Sequence, residues 1–127
     1  MSRPSRPSDP APERRFSGRY EVEWAVDCVA SDTFLYAAIT NISEMGIFVA
    51  CASPFEVGTQ LKLRFQPNPE EEPIILPGRV QWVNRPKPFG HCPNPGMGIQ
   101  FIDLGLDMRE RIVEIIHTIA YVNDYSN

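Results

Sequence analysis

The residues with the most chemical potential are arginines. Arg14, Arg15 and Arg19 lie in Arg14-Arg15-Phe16-Ser17-Gly18-Arg19, so Arg15 and Arg19 form an R-x-x-x-R pattern, and Asn41-x-Ser43-x-x-Gly46 begins twenty-two residues after Arg19. A guanidinium fork suits paired acceptor atoms or a phosphate, and its flat face stacks on an aromatic ring, so an all-arginine set suits planar, bidentate or stacking contacts more than diffuse attraction. Asn41 and Ser43 add short hydrogen-bonding side chains, while Gly46 is expected to supply a positive φ and let a ligand approach the backbone. Trp82 offers an aromatic face for stacking. The candidate ligand-binding residues are therefore Arg14, Arg15, Arg19, Asn41, Ser43, Gly46 and Trp82. Asn-x-Ser-x-x-Gly is also a good turn without a ligand, because Asn and Ser bond to neighbouring backbone groups.

Little else points to chemistry. His91 stands beside Cys92 in a proline-rich stretch and His117 stands alone, so neither a nucleophile–base pair nor a metal-ligand set can be assembled. Cys28, Cys51 and Cys92 are an odd count with no C-x-x-C pair, which argues against a disulfide framework and a zinc site; they read as reduced, small apolar fillers. Gly96-Met97-Gly98 precedes no helix and is no dinucleotide fingerprint, and it is expected where a strand begins and needs backbone freedom. The expectation is a binding protein with no catalytic residue, no metal and no cofactor.

Charge is divided along the chain. Residues 1–19 carry five arginines against two acids, a net +3, whereas residues 20–127 carry seven basic side chains against fourteen acidic ones, a net −7. A cationic arm precedes an acidic body, which disfavours DNA or RNA as a partner, since tracking phosphates needs basic residues clustered across the fold. No run of residues nears the roughly 20 apolar positions of a membrane span, so no membrane insertion is expected. The first residues hold arginines but no apolar segment of a secretory signal, which makes the cytoplasm the expected compartment.

The elements that must position these residues are mostly strands. The chain has 127 residues, one domain's worth, and its thirteen prolines and eight glycines suit short strands and tight turns better than a helical bundle. Residues 1–12, rich in Pro, Ser and Arg, are predicted to form a disordered tail. Residues 13–122 form a single domain, with an arm at 13–19, a barrel at 20–103 and a helix at 106–122, followed by a short tail at 123–127. Tyr20, Val22, Trp24 and Val26 alternate with polar or small residues and predict a strand over 20–29. Further strands are expected over 34–40, 47–51, 61–65, 74–83 and 97–101, the fifth with a bulge or kink at Pro77-Gly78. Leu106, Ile112, Ile115, Ile116 and Ile119 recur at helical spacings and predict an amphipathic helix. Short, evenly spaced strands and one helix imply a mainly β fold, a small barrel plugged or flanked by its C-terminal helix.

In its two motifs the sequence resembles the PilZ domain family. Members carry an R-x-x-x-R arm and then [D/N]-x-S-x-x-G on a six-stranded antiparallel β-barrel with a C-terminal helix, and many bind the bacterial second messenger cyclic di-GMP. The resemblance covers residues 13 to 122. It extends to Pro54-x-x-Val57-Gly58-Thr59, Gly78-Arg79-Val80-x-Trp82-Val83 and Pro95-Gly96-Met97-Gly98-Ile99-x-Phe101, where it looks like the branch common in myxobacteria and their relatives. It implies a non-catalytic cyclic di-GMP receptor that uses the arm and the turn, and signals to a downstream protein partner by ordering of the arm. Arginine forks would then meet O6 and N7 of guanine, a contact worth about 1–3 kcal/mol of discrimination. A second class stays open: an adaptor in motility or signalling that keeps the barrel, binds no nucleotide, and works through its acidic body or the proline-rich loop at 85–95.

Overall fold

Alternating apolar and polar residues build six strands: β1 (Tyr20–Ala30), β2 (Thr33–Ile42), β3 (Gly46–Ala50), β4 (Gln60–Phe65), β5 (Ile74–Asn84) and β6 (Gly96–Phe101). One helix, α1 (Leu106–Ser126), follows and runs past the expected end at residue 122. The computed structural model describes residues 18–85 and 94–126. The strands close into an antiparallel barrel in the order β1-β2-β3-β6-β5-β4, with β4 returning to pair with β1. This is the expected mainly β barrel with a C-terminal helix. Ser31-Asp32 joins β1 to β2 as a two-residue loop in which Ser31 takes a φ of 52°, the left-handed geometry that tight hairpins require.

Inward positions fill the barrel. Val26, Ile39, Ile47, Val49, Leu63 and Phe65 are each at most 2% exposed, and burying one such side chain contributes roughly 1.5–3 kcal/mol. Ile112 and Ile116 of α1 join the same core, so the helix packs its apolar stripe against the barrel beside β1. Arg111 ties α1 to the β4–β5 loop, donating to the Glu72 carbonyl and pairing with Glu71 at 3.8 Å. Cys28 is fully buried and Cys51 half-buried, and Cys92 lies outside the described residues. Burial pushes the Cys28 thiol up to about 12, with Cys51 and Asp27 adding to the effect, which suits an inert filler.

Pairing between β1 and β4, between β4 and β5, and between β3 and β6 is unbroken. The register shifts in three places: between Glu21 and Trp24 in β1, between Ile39 and Asn41 in β2, and between Val80 and Trp82 in β5. The bulge expected at Pro77-Gly78 is not there, since Pro77 pairs with Lys62 and Gly78 with Leu61 in an uninterrupted ladder. Gly78 answers a packing need instead: a Cβ would lie 2.6 Å from Ile99 Cγ2 and 3.1 Å from Leu63 Cδ1. The irregularity falls three residues later, and its effect is directional. Ile74, Leu76, Gly78 and Val80 are buried at every second position, so strict alternation would carry Trp82 into the core; the bulge leaves both Gln81 and Trp82 exposed.

Candidate ligand-binding site

Asn41 and Ile42 end β2 and Gly46 opens β3, leaving Ser43-Glu44-Met45 as the turn. The turn is closed by the Ser43 N–H, which donates to the Gly46 carbonyl at 2.9 Å. Ser43 is 4% exposed and is the one buried polar side chain among the described residues. Its Oγ accepts from the Met45 N–H at 3.2 Å and from Arg19 Nη1 at 3.3 Å, and lies 3.5 Å from the Gly46 carbonyl. A buried hydroxyl requires such partners, and here they are the turn itself and an arginine from outside it. Arg19 Nε also donates to Asn41 Oδ1 at 2.7 Å. Partial burial lowers the Arg19 pKa, though a guanidinium remains protonated in proteins. Two of its five N–H donors are thus engaged by the turn.

Gly46 does not take the positive φ expected of it; among the described glycines Gly58 and Gly96 do. Its role is close approach, because a Cβ at Gly46 would lie 2.1 Å from the Ile99 carbonyl oxygen of β6. Gly98 likewise serves packing and not freedom at a strand start. Pairing sets Glu21, Asn41, Phe48, Gly98 and Trp82 in one line across β1, β2, β3, β6 and β5. A Cβ at Gly98 would lie 2.3 Å from Trp82 Nε1, so the indole rests directly on the glycine and reaches across it to stack on Phe48, with ring centroids 5.3 Å apart and planes 24° from parallel. Trp82 is nonetheless 48% exposed.

Two cavities meet at Trp82. One, of about 450 Å³, is lined by Glu21, Glu23, Asn41, Asn84 and Asn94 together with Phe48 and the indole. The other, of about 240 Å³, is lined by Arg19, Met45, Gln81 and Gln100 and again by Trp82. The larger falls within the range typical of small-molecule sites. Of the residues singled out in the sequence, Arg19, Asn41, Ser43, Gly46 and Trp82 come together here. Arg14 and Arg15 lie outside the described residues, as do the 1–12 tail, His91, Cys92 and most of the 85–95 loop. Glu21, Glu23, Phe48, Gly98, Asn84 and Asn94 were not anticipated; the one available signal was a tryptophan at the parity of core positions in β5. Among the described residues no group of three or more His, Cys, Asp or Glu is placed to hold a metal, and no helix is long and apolar enough to cross a membrane.

A closed barrel that carries its polar cluster on the outer wall, beside a half-exposed tryptophan, is a small β-module whose candidate site is separate from its core. More narrowly, the chain belongs to the PilZ domain family, whose model matches residues 13–118. Solved structures share the fold. The PilZ domain of YcgR from Escherichia coli, solved with c-di-GMP, is 10% identical with a TM-score of 0.69 over 86% of this chain and 93% of that one. The MotI/DgrA inhibitor of motility from Bacillus subtilis is 19% identical with a TM-score of 0.61 over 76% of this chain, which spans only 46% of MotI/DgrA. The PilZ domain of CeSA from a cellulose-synthesising bacterium is 14% identical with a TM-score of 0.59, covering 82% of this chain and 99% of that one. At these identities the likeness is one of fold. No curated protein sequence matches the chain.

Proposed function

We propose that this protein is a non-catalytic receptor for cyclic di-GMP. The observation that carries the reading is the meeting of its two motifs, with Arg19 held by Asn41 at 2.7 Å and by Ser43 at 3.3 Å across a separation of 22 residues. A guanidinium oriented in advance loses less freedom when it binds a ligand. In this reading Arg14, Arg15 and Arg19 contact guanine edges and phosphates, Asn41 and Ser43 fix the geometry, Gly46 keeps the turn against β6, and Trp82 stacks on a base. The signal passes to a protein partner through ordering of the arm at 13–19. That a PilZ domain of the same fold was solved with c-di-GMP supports the ligand class. Calorimetric titration of the full chain with cyclic di-GMP tests it: saturable binding that Arg15→Ala and Arg19→Ala each abolish or greatly weaken is the expected result, with the dinucleotide recovered intact. Binding unchanged in both variants overturns it.

One observation favours an adaptor as the second reading. The wall away from Trp82 exposes Phe34 at 61% and Tyr36 at 68%. Pairing places Phe34 in line with Val29, Lys62 and Pro77, and Tyr36 in line with Asp27, Arg64 and Ile75, a face on which exposed apolar side chains flank the Asp27–Arg64 ion pair, the mixture that protein interfaces use. Hydrogen exchange separates the readings. A receptor shows slowed exchange at Arg15 to Arg19 and at 41–46 when cyclic di-GMP is added, and an adaptor does not.

A further inference from the structure

Trp82 divides the site into two chambers of opposite character. Among the described residues, Arg19 is the sole charged side chain lining the smaller, whereas the larger is lined by Glu21 and Glu23 with Asn41, Asn84 and Asn94 and meets Arg19 only through its bond to Asn41. The partition is held in place, because the indole lies on Gly98 and against Phe48. Phosphates and carboxylates repel at close range, so the phosphates of a bound dinucleotide belong on the Arg19 side. The larger chamber suits a flat, uncharged group that stacks on the aromatic wall and presents several N–H donors to carboxylate and amide oxygens. Asn84 gives a donor to the Asn94 carbonyl at 3.0 Å and Asn41 Oδ1 already accepts from Arg19, so the Glu21 and Glu23 carboxylates are the chamber's main acceptors. The N1–H and N2–H₂ edge of guanine has that character. Adenine instead presents the lone pair of its N1 at the same place.

We propose, building on the cyclic di-GMP reading above, that the ligand straddles Trp82, with its phosphates beside Arg19 and one guanine in the Glu21–Glu23 chamber. There the two carboxylates accept from N1–H and N2–H₂ and turn adenine away by setting an acceptor against an acceptor. This edge is distinct from the O6/N7 edge that suits an arginine fork. Glu21 and Glu23 are thus specificity-determining residues, separate from the two motifs.

Calorimetric titrations of the full chain with cyclic di-GMP and with cyclic di-AMP test this, comparing the natural sequence with the Glu21→Gln/Glu23→Gln double variant. Both positions are exposed, so the melting temperature stays put. A glutamine amide keeps the shape but adds a donor that adenine N1 can accept. The expected result is a loss of about tenfold or more in cyclic di-GMP affinity together with a gain for cyclic di-AMP, so that the preference collapses. An unchanged preference in the double variant overturns the inference and leaves the receptor reading standing. Equal tightening toward both dinucleotides also overturns it, because the carboxylates then only repel phosphate. No binding of cyclic di-GMP by the natural sequence removes the receptor reading and this inference together.

Discussion

The two walls of this barrel are built by different rules. Where β1 meets β4 and β4 meets β5 the ladder is unbroken, and the exposures along β4 alternate without exception. The wall that carries Arg19, Asn41 and Trp82 holds all three register shifts. Regular pairing buries every second side chain and gives cohesion, whereas a bulge sacrifices a ladder position to re-aim a side chain. The difference teaches where the molecule keeps stability and where it keeps recognition. Changes on the regular wall should be felt as unfolding, and changes on the bulged wall as altered binding.

The largest effect should come from the regular side. Phe65, 2% exposed and stacked on Trp24 at 6.0 Å, when replaced by alanine should lower stability by about 3–5 kcal/mol, read from denaturant midpoints, while the molecules that stay folded bind cyclic di-GMP as before. Arg19→Ala should do the reverse. Its melting temperature should hold while cyclic di-GMP affinity drops about tenfold to a hundredfold, and Arg19→Lys should recover little, because an ammonium lacks the planar fork. Ser43→Ala sharpens the comparison by crossing it: the buried hydroxyl serves both turn and arginine, so a loss of about 1–2 kcal/mol in stability should accompany weaker binding.

Gly98→Ala should show the separation most cleanly. The added Cβ lifts the indole from Phe48, which costs about 0.5–1.5 kcal/mol of ring contact, removes the near-ultraviolet dichroism of the stack, and weakens the ligand more than it weakens the fold. The smallest effect concerns pH. Cys28 in the folded chain is raised from an ordinary 9.0 to about 12, so the unfolded thiol ionises first. Its contribution to stability is complete below about pH 9 and declines as the pH rises toward 12. Cys28→Ala should flatten that part of a stability-against-pH curve.

Much of this was legible before any coordinates. Tyr20, Val22, Trp24 and Val26 announced β1 through simple alternation, and the spacing of Ile112, Ile116 and Ile119 announced α1, because burial on one face leaves a periodic trace in the chain itself. The motifs assigned the arm and the turn to one ligand, but the direct hydrogen bonds from Arg19 to Asn41 and Ser43 were not legible in them. What escaped depends on the neighbouring strand. A bulge at Val80–Trp82 is a mismatch between β5 and β6, and neither segment alone records it. Gly98 looked like a permissive backbone position because the ring that rests on it is sixteen residues away in sequence and one strand away in space. Gly46 was misread for the same reason, since its constraint is the Ile99 carbonyl of β6 and not its own φ. Glu21 and Glu23 passed as a solvated strand face until Phe48 and Trp82 supplied the opposite wall.

Apart from the buried Ser43, the polar cluster lies outside a closed barrel whose interior is filled by its own side chains, and this has a consequence for descent. A site embedded in a core binds its fate to that of the architecture, for any change in the ligand demands repacking. Here a handful of surface codons can be rewritten while the interior passes unaltered from one generation to the next. Recognition and architecture are in that sense inherited separately, and chains that share this barrel are free to diverge in what they sense long before they diverge in shape.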